Sequence, residues 1–429
     1  MIARMKIVLG GICTVGLLLS ACQTPPADSE DSPKFISLVP YFTPTTPCAD
    51  VDAAYEAEIE NGTSPELDDL TAARRQCRLD SPDLNRGEAE THLSDTNLAY
   101  EVTGSTILTL YARTAGEAPR LCCSIQGSDI WTRIEDSDLF GAQFRLEDLN
   151  QTILSLMLLG DTEAKVDYRG PDAPEKPSFD GLDVENLAGQ TFDHQLFSPE
   201  LGETRKLAIY LPPGHTPEKD WPVLFFADGI SVSYTARLIE PLIVAGDMAP
   251  VVIVGLLSGQ GGIVEDRSDV PVKTDLRNAD YLPRLDDGAP ERFDQHMRFV
   301  TDTVIPWAET RFGAGRNDQR RGVTGKSSGG TFALYAGYLN PDLFDVAIPQ
   351  SPGSGTLFEA DPAPGNAAEF WISAGTLEIP FLKSARASSN ALSDAGYNVH
   401  FRSYFAGHAP DQWDQGLADT LPIAFPPAR

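Results

Sequence analysis

From about residue 190 onward the chain alternates two patterns. Short runs rich in apolar, β-branched and aromatic residues read "KLAIYLP", "PVLFFADG", "PVVIVGL", "RGVTG", "FDVAIPQSPG", "FWISAG" and "VHFRSYFAGH". Their length and near-continuous hydrophobicity fit strands covered on both faces. Longer stretches of helical character lie among them, such as "VSYTARLIEPLIVAG" and "ERFDQHMRFVTDTVIPWAETRF". Strands alternating with helices predict an α/β domain over 189–429 with a mostly parallel, doubly wound sheet. Sheets of this kind place their chemistry at the carboxyl ends of the strands.

The pattern upstream is different. "STILTLYART", "PRLCCSIQ" and "AQFRLEDLNQTILSLMLL" carry β-type runs separated by turn residues, which predicts a small β-sandwich. Two helix-like stretches precede it, "DVDAAYEAEIENG" and "SPELDDLTAARRQC", with Ser64 and Pro65 suited to the N-cap and first position of the second. Helical segment and sandwich together span 48–168. A linker over 169–188, containing "RGPDAPEKPSFDG", and a proline-rich tether over 22–47 flank them.

Composition is ordinary for a globular protein at 41% hydrophobic and 22% charged, but the net charge of −29 is not. It argues against nucleic acid as a partner and against a basic membrane-binding patch. At the N-terminus, Arg4 and Lys6 precede an apolar run from Ile7 to Leu19, which reads as a signal peptide over 1–21 rather than a spanning helix. Leu19-Ser20-Ala21-Cys22 resembles the bacterial lipoprotein box. That resemblance implies acylation of Cys22, anchoring in a lipid bilayer, and a position at the outer membrane facing the periplasm or the cell surface.

With Cys13 removed and Cys22 acylated, Cys48, Cys77, Cys122 and Cys123 remain in an oxidising compartment. Three pairings are open, and Cys48–Cys77 is favoured. Adjacent side chains on a strand point to opposite faces, so no bond is expected between Cys122 and Cys123. No histidine pair with ligand spacing lies near these cysteines, so no metal site is assigned.

The stretch "RRGVTGKSSGGTFALYAGYLN" at 320–340 admits two chemistries. A phosphate loop needs a glycine at position 320, where Arg320 stands. The alternative is G-x-S-x-G on Gly325, Ser327 and Gly329, entered from a strand and left by a helix, as a nucleophile elbow requires. Ser327 is then the nucleophile, and its base and acid should follow it in the chain. His408 sits just after the last strand-like run, whereas His400 lies within that run as an ordinary strand side chain. Glu378 follows "FWISAG" and is the candidate acid, with Asp411 and Asp414 as rivals; Asp342, Asp345 and Asp394 read as structural. The oxyanion donors expected are the amide of Ser328 and that of Gly229 or Ile230, unless Asp228-Gly229 is only a tight turn.

Taken in order, "LPPGHTPEKDWPVLFFADG", "LRNADYLP", "GKSSGGTFALYAGYLNPDLFDVAIPQSPG", "AGTLE" and "AGHAPDQW" resemble the esterase D group of α/β-hydrolases, and within it the enterochelin esterase branch. The resemblance covers roughly 190–425, and more loosely the sandwich around Gly127-Ser128-Asp129-Ile130-Trp131. It implies an α/β-hydrolase fold and a cofactor-free serine esterase acting on a small-molecule ester, with nucleophile, base and acid on Ser327, His408 and Glu378. Two departures leave every catalytic group in place. The family's R-x-x-E-Y stands here as Arg277-Asn278-Ala279-Asp280-Tyr281, and its Gly-Gly-His as Ala406-Gly407-His408. The branch implies a siderophore ester such as the enterobactin trilactone. Ferric catecholates are anionic, so that substrate needs a local cationic patch. Lys326 is either part of such a patch or a solvated lysine. Carbohydrate-linked acetyl or feruloyl esters are the rival substrates, and a non-catalytic binding lipoprotein is the rival from another class.

Overall fold

The computed structural model describes residues 43–61, 66–80, 82–160, 163–177, 186–259, 276–283, 290–353, 357 and 359–427. The segment expected to be a signal peptide, Cys22, most of the expected tether, and Ser64 and Pro65 lie outside them. Among the described residues no helix is long and apolar enough to cross a membrane.

Helices α1 (Cys48–Asn61) and α2 (Glu66–Arg74) lead into strand β1 (Gln76–Arg78). Cys48 and Cys77 are disulfide-bonded and pack with Val51, Ala73 and Ile379. Strand β1 joins β2 (Leu98–Thr103), β3 (Ile107–Arg113), β5 (Thr132–Arg133) and β6 (Leu139–Leu146) in one sheet. A second sheet holds β4 (Arg120–Cys123), β7 (Ile153–Leu159) and β8 (Ala164–Arg169), and α3 (Arg86–His92) flanks the first. Leu108, Leu110 and Phe144 of the first sheet meet Leu121, Leu154, Leu156 and Leu158 of the second in one buried cluster. This inner face is what makes the two sheets a sandwich. One expectation fails here: Cys122 and Cys123 are bonded to each other. The alternation argument assumed a trans peptide. The bond between these residues is cis, which turns both side chains to one side with Cα atoms 3.2 Å apart.

The second region is an eight-stranded sheet. Its strands are β9 (Gln190–Ser198), β10 (Glu203–Leu211), β11 (Val223–Ala227), β12 (Val252–Leu256), β13 (Arg321–Lys326), β14 (Val346–Gln350), β15 (Glu369–Gly375) and β16 (Val399–Tyr404). The order is β16-β15-β14-β13-β11-β12-β10-β9; the first six are parallel, and β10 and β9 continue antiparallel at the edge. The sequence pattern had missed β9, because its polar outer residues interrupt the hydrophobic run. Successive residues of β11 enter opposite cores. Val223 and Phe225 face a cluster shared with α6 (Pro290–Arg298), α7 (Ile305–Phe312), α8 (Ser328–Leu339) and α9 (Ile379–Asp394). Leu224 and Phe226 face α4 (Val232–Ala245) and α10 (Pro410–Ala424). Helix α5 (Leu276–Tyr281) lies beside α6 and α8.

The sandwich touches the sheet where β15 and β16 end. Gln76 Nε2 donates to the carbonyl of Thr376 at 2.7 Å, Ile153 N–H donates to the carbonyl of Phe405 at 2.8 Å, and Leu377 is buried in the sandwich core.

Candidate active site

The candidate catalytic residues lie at the carboxyl ends of three parallel strands. Ser327 follows β13, Glu378 lies three residues beyond β15, and His408 four beyond β16. Ser327 has φ 58° and ψ −124°, a conformation most side chains avoid. Its amide donates to Gln350 O at 3.0 Å and its carbonyl accepts from Thr331 N–H at 3.0 Å, which fixes the sharp turn from strand into helix. The glycines on either side are sterically required. A Cβ on Gly325 would lie 2.2 Å from the carbonyl oxygen of Gly329, and one on Gly329 would lie 2.8 Å from Asp228 Oδ2. The hydroxyl of Ser327 thus stands at the amino end of α8, where backbone N–H groups lack helical acceptors and the helix dipole is positive.

His408 is held on three sides. Its Nδ1 meets Glu378 Oε2 at 2.5 Å; Phe381 stacks on its ring at 4.1 Å between centroids, and Trp413 stands edge-on at 4.8 Å. An ionised carboxylate only accepts, so Nδ1 carries the proton and Nε2 is left as the basic nitrogen. Among the described residues no direct hydrogen bond joins Ser327 Oγ to His408; catalytic hydrogen bonds of this kind often close only when substrate is bound. Glu378 is almost fully buried, and its other oxygen, Oε1, accepts from Ser351 Oγ at 2.6 Å and from the amide of Gly375 at 2.5 Å.

The oxyanion candidates occupy two turns. Gly229 and Ile230 begin a 3₁₀ turn, Gly229–Ser231, just after β11, so both amides are in a first turn without helical acceptors. Asp228, before them, is left-handed at φ 63°. Gly229 is packed so closely on Gly255 that a Cβ would lie 2.5 Å from its carbonyl carbon, and Ile230 is exposed. The R-x-x-D-Y segment, α5, holds this turn in place. Arg277 pairs with Asp228, while Tyr281 Oη accepts from Asp228 N–H at 3.0 Å and donates to Leu256 O at 2.7 Å. Burial raises Tyr281 well above its ordinary range, so it keeps the proton it donates. The shortened acid, Asp280, is fully buried between Arg205 at 2.8 Å and Arg292 at 2.7 Å. Glu203 also pairs with both arginines, at 2.9 Å and 2.8 Å, so removing Asp280 would leave the two guanidinium groups sharing one partly exposed carboxylate.

Other sequence candidates have structural surroundings. Lys326 is buried rather than solvated, with Nζ 3.5 Å from Asp414 Oδ1 and near the rings of Phe226 and Trp413. Burial pushes Asp414 above the usual carboxylate range, and Lys326 opposes that shift. Asp411 is likewise raised by burial. His408 takes its carboxylate from Glu378 and not from either aspartate. His400 stacks on Trp371 at 3.9 Å and faces Glu369 at 3.1 Å. Asp342 accepts from Asn366, Asp345 accepts from the amide of Arg321 at 2.7 Å, and Asp394 closes α9. Sequence reasoning missed Arg277 as the clamp on Asp228, and it missed Ser351 and Trp413 behind Glu378. The first was signalled only by the family pattern; the other two carried no spacing signal.

The family model described as "Putative esterase" matches residues 198–423. The chain resembles the enterochelin esterase of Shigella flexneri with a TM-score of 0.57 and 16% identity, over 80% of this chain and 99% of that one. It resembles the ferric enterobactin esterase of Salmonella typhimurium with a TM-score of 0.56 and 15% identity, over 77% and 97%. At these identities the likeness shows a shared α/β-hydrolase-type fold. YjcH of Bacillus subtilis (strain 168) is 25% identical over 169 residues, 38% of this chain, and the chain spans 62% of that relative's length. A family match covering more than half of the chain, on the sheet that carries the elbow, means that this protein belongs to the Putative esterase family.

Proposed function

We propose that this mostly parallel, doubly wound sheet carries a serine esterase, anchored as an exported lipoprotein through acylated Cys22. Ser327 Oγ attacks the ester carbonyl as His408 Nε2 takes its proton. Glu378 keeps the imidazole in the required tautomer and stabilises its cation. The amides of Ser328 and of Gly229 or Ile230 receive the developing oxyanion. His408 then protonates the leaving alcohol, and water, activated by the same imidazole, hydrolyses the acyl-enzyme. The observation that carries this reading is the Nδ1–H to Glu378 bond, which leaves Nε2 basic at the strand edge where the elbow stands.

Two substrate classes are weighed. One is a siderophore lactone; a Shigella flexneri neighbour was solved in the presence of enterobactin. The other is an uncharged acyl ester on a carbohydrate. Lys326 is paired with Asp414 and Arg277 with Asp228, so these two cations flanking the nucleophile, among the described residues, are already compensated. That pairing favours the uncharged ester over an anionic ferric catecholate.

Hydrolysis of p-nitrophenyl butyrate by protein lacking residues 1–22 tests the esterase reading against a binding-only lipoprotein. The parent should turn over and Ser327→Ala should lose at least about 10³-fold in kcat. Equal rates for the two would remove Ser327 from the mechanism. A panel of enterobactin and acetyl or feruloyl sugars then separates the substrate classes.

A further inference from the structure

The carboxylate of Glu378 is gripped from two sides, and only one of them is the histidine. Behind it, Ser351 Oγ lies 2.6 Å from Oε1, and Trp413 Nε1 lies 2.8 Å from Ser351 Oγ. An indole N–H can only donate and an ionised carboxylate can only accept. The hydroxyl therefore accepts from Trp413 and directs its single proton at Glu378; the Gln412 amide, 3.4 Å from the hydroxyl, does not compete for that proton, because the orientation that satisfies its surroundings turns its nitrogen to that side. Trp413 is itself fixed, since its carbonyl accepts from Gln350 Nε2 at 2.6 Å and its ring stands against His408. One indole thus touches His408 directly and reaches Glu378 through the Ser351 hydroxyl.

The backbone at Ser351 adds an independent observation. Ser351 is fully buried just after β14 and has φ 46°, in the left-handed region that glycine adopts without a Cβ clash. A glycine would fit this turn with less strain. Serine gives up that ease and gains only a hydroxyl, and that hydroxyl points at the candidate catalytic acid.

We propose that Ser351 and Trp413 are positioning residues: a donor relay that fixes the plane of the Glu378 carboxylate, so that His408 Nδ1 stays engaged and Nε2 faces the nucleophile. The relay rests on the serine-esterase reading above. It is not the sole support of the carboxylate. Oriented to satisfy its surroundings, the Gln412 amide donates to Glu378 Oε1 at 3.0 Å and to Gly407 O at 3.1 Å. Loss of the relay is therefore partial.

The test is kcat, KM and thermal midpoint for p-nitrophenyl butyrate with Ser351→Gly, Trp413→Phe and the double variant. A purely structural serine predicts that Ser351→Gly keeps parental kcat, since glycine suits the backbone. The relay predicts a fall of about 10- to 100-fold in kcat at unchanged KM, without a lowered midpoint. Trp413→Phe keeps a ring against His408, removes the N–H, and should lose kcat in the same sense. The double variant should be no slower than Ser351→Gly within about twofold, because the indole N–H acts only through the hydroxyl. Parental kcat in either single variant, or losses that multiply in the double, would overturn the relay. If Ser351→Gly loses stability as well, Trp413→Phe decides alone. Ser327→Ala is run alongside. If it is as active as the parent, the esterase reading itself falls; if it is inactive while Ser351→Gly is unaffected, only the relay falls.

Discussion

Arg277 holds Asp228 bidentately with one edge of its guanidinium, Nε to Oδ1 at 2.7 Å and Nη2 to Oδ2 at 2.6 Å. The same group donates to Ser328 Oγ at 3.2 Å and to the carbonyl of Lys326 at 3.3 Å. One side chain therefore ties the turn after β11 to the first turn of α8, the two places from which the oxyanion donors are proposed to come. Lysine offers one charged point and cannot reproduce a planar two-point grip. Arg277→Lys is expected to lower kcat about 10- to 100-fold with little change in KM. Steady-state kinetics check this, and parental kcat would mean that Tyr281 alone is enough to hold the turn.

The elbow makes a steric prediction. A methyl group on Gly325 would lie 2.2 Å from the carbonyl oxygen of Gly329, a backbone atom of the helix that follows Ser327. Gly325→Ala should abolish hydrolysis by displacing Ser327. Ala at Gly214, which has open space but also a positive φ of 76°, should cost only modest stability and leave kcat unchanged. Comparing the two variants separates crowding at the elbow from the general effect of replacing glycine.

Gly407, beside His408, is confined by the sandwich. A Cβ there would lie 2.1 Å from the carbonyl oxygen of Ser124, which directly follows the bonded pair Cys122–Cys123. Gly407→Ala should push the His408 loop away from the sandwich and reduce kcat at least about tenfold. Circular dichroism should show the sheet intact. Unchanged kcat would mean that the loop holds His408 without the sandwich.

His296 predicts a pH dependence of stability. It is fully buried among Tyr281, Phe299 and Phe332, and neither ring nitrogen has a hydrogen-bond partner among the described residues. Burial lowers it to about 4; Asp280 opposes the shift, and Arg205 and Arg292 reinforce it. Between pH 6.5 and 4 the unfolded chain takes up a proton that the folded protein refuses. Stability therefore rises with pH across that window and is flat above it with respect to this group. Full protonation of the unfolded state costs about 3 kcal/mol. Urea unfolding of the parent and of His296→Leu at pH 7 and pH 4 should show the parent losing about 3 kcal/mol relative to the variant. Parallel pH profiles would contradict the assignment.

What the sequence revealed depended on how local each signal was. The elbow is legible because its glycines stand two residues either side of Ser327. Glu378 and His408 are legible because a strand-like run ends just before each. The pairing of Gln76 with Thr376, 300 residues apart, has no local pattern. Ser351 reads as an ordinary loop serine until its φ and its two partners are known. The Cys122–Cys123 bond was misread because the alternation rule holds only for trans peptides. Lys326 read as either part of a cationic patch or a solvated lysine, and Asp414, 88 residues away, pairs with it in its buried position.

The central claim is that Ser327 is the nucleophile and His408 its base. Incubation with an alkyl fluorophosphonate, followed by peptide mass spectrometry, tests it most directly. The account predicts one covalent adduct, on the peptide containing Ser327, absent in Ser327→Ala and formed far more slowly in His408→Ala. An adduct on another residue, or labelling as fast in His408→Ala as in the parent, would contradict it.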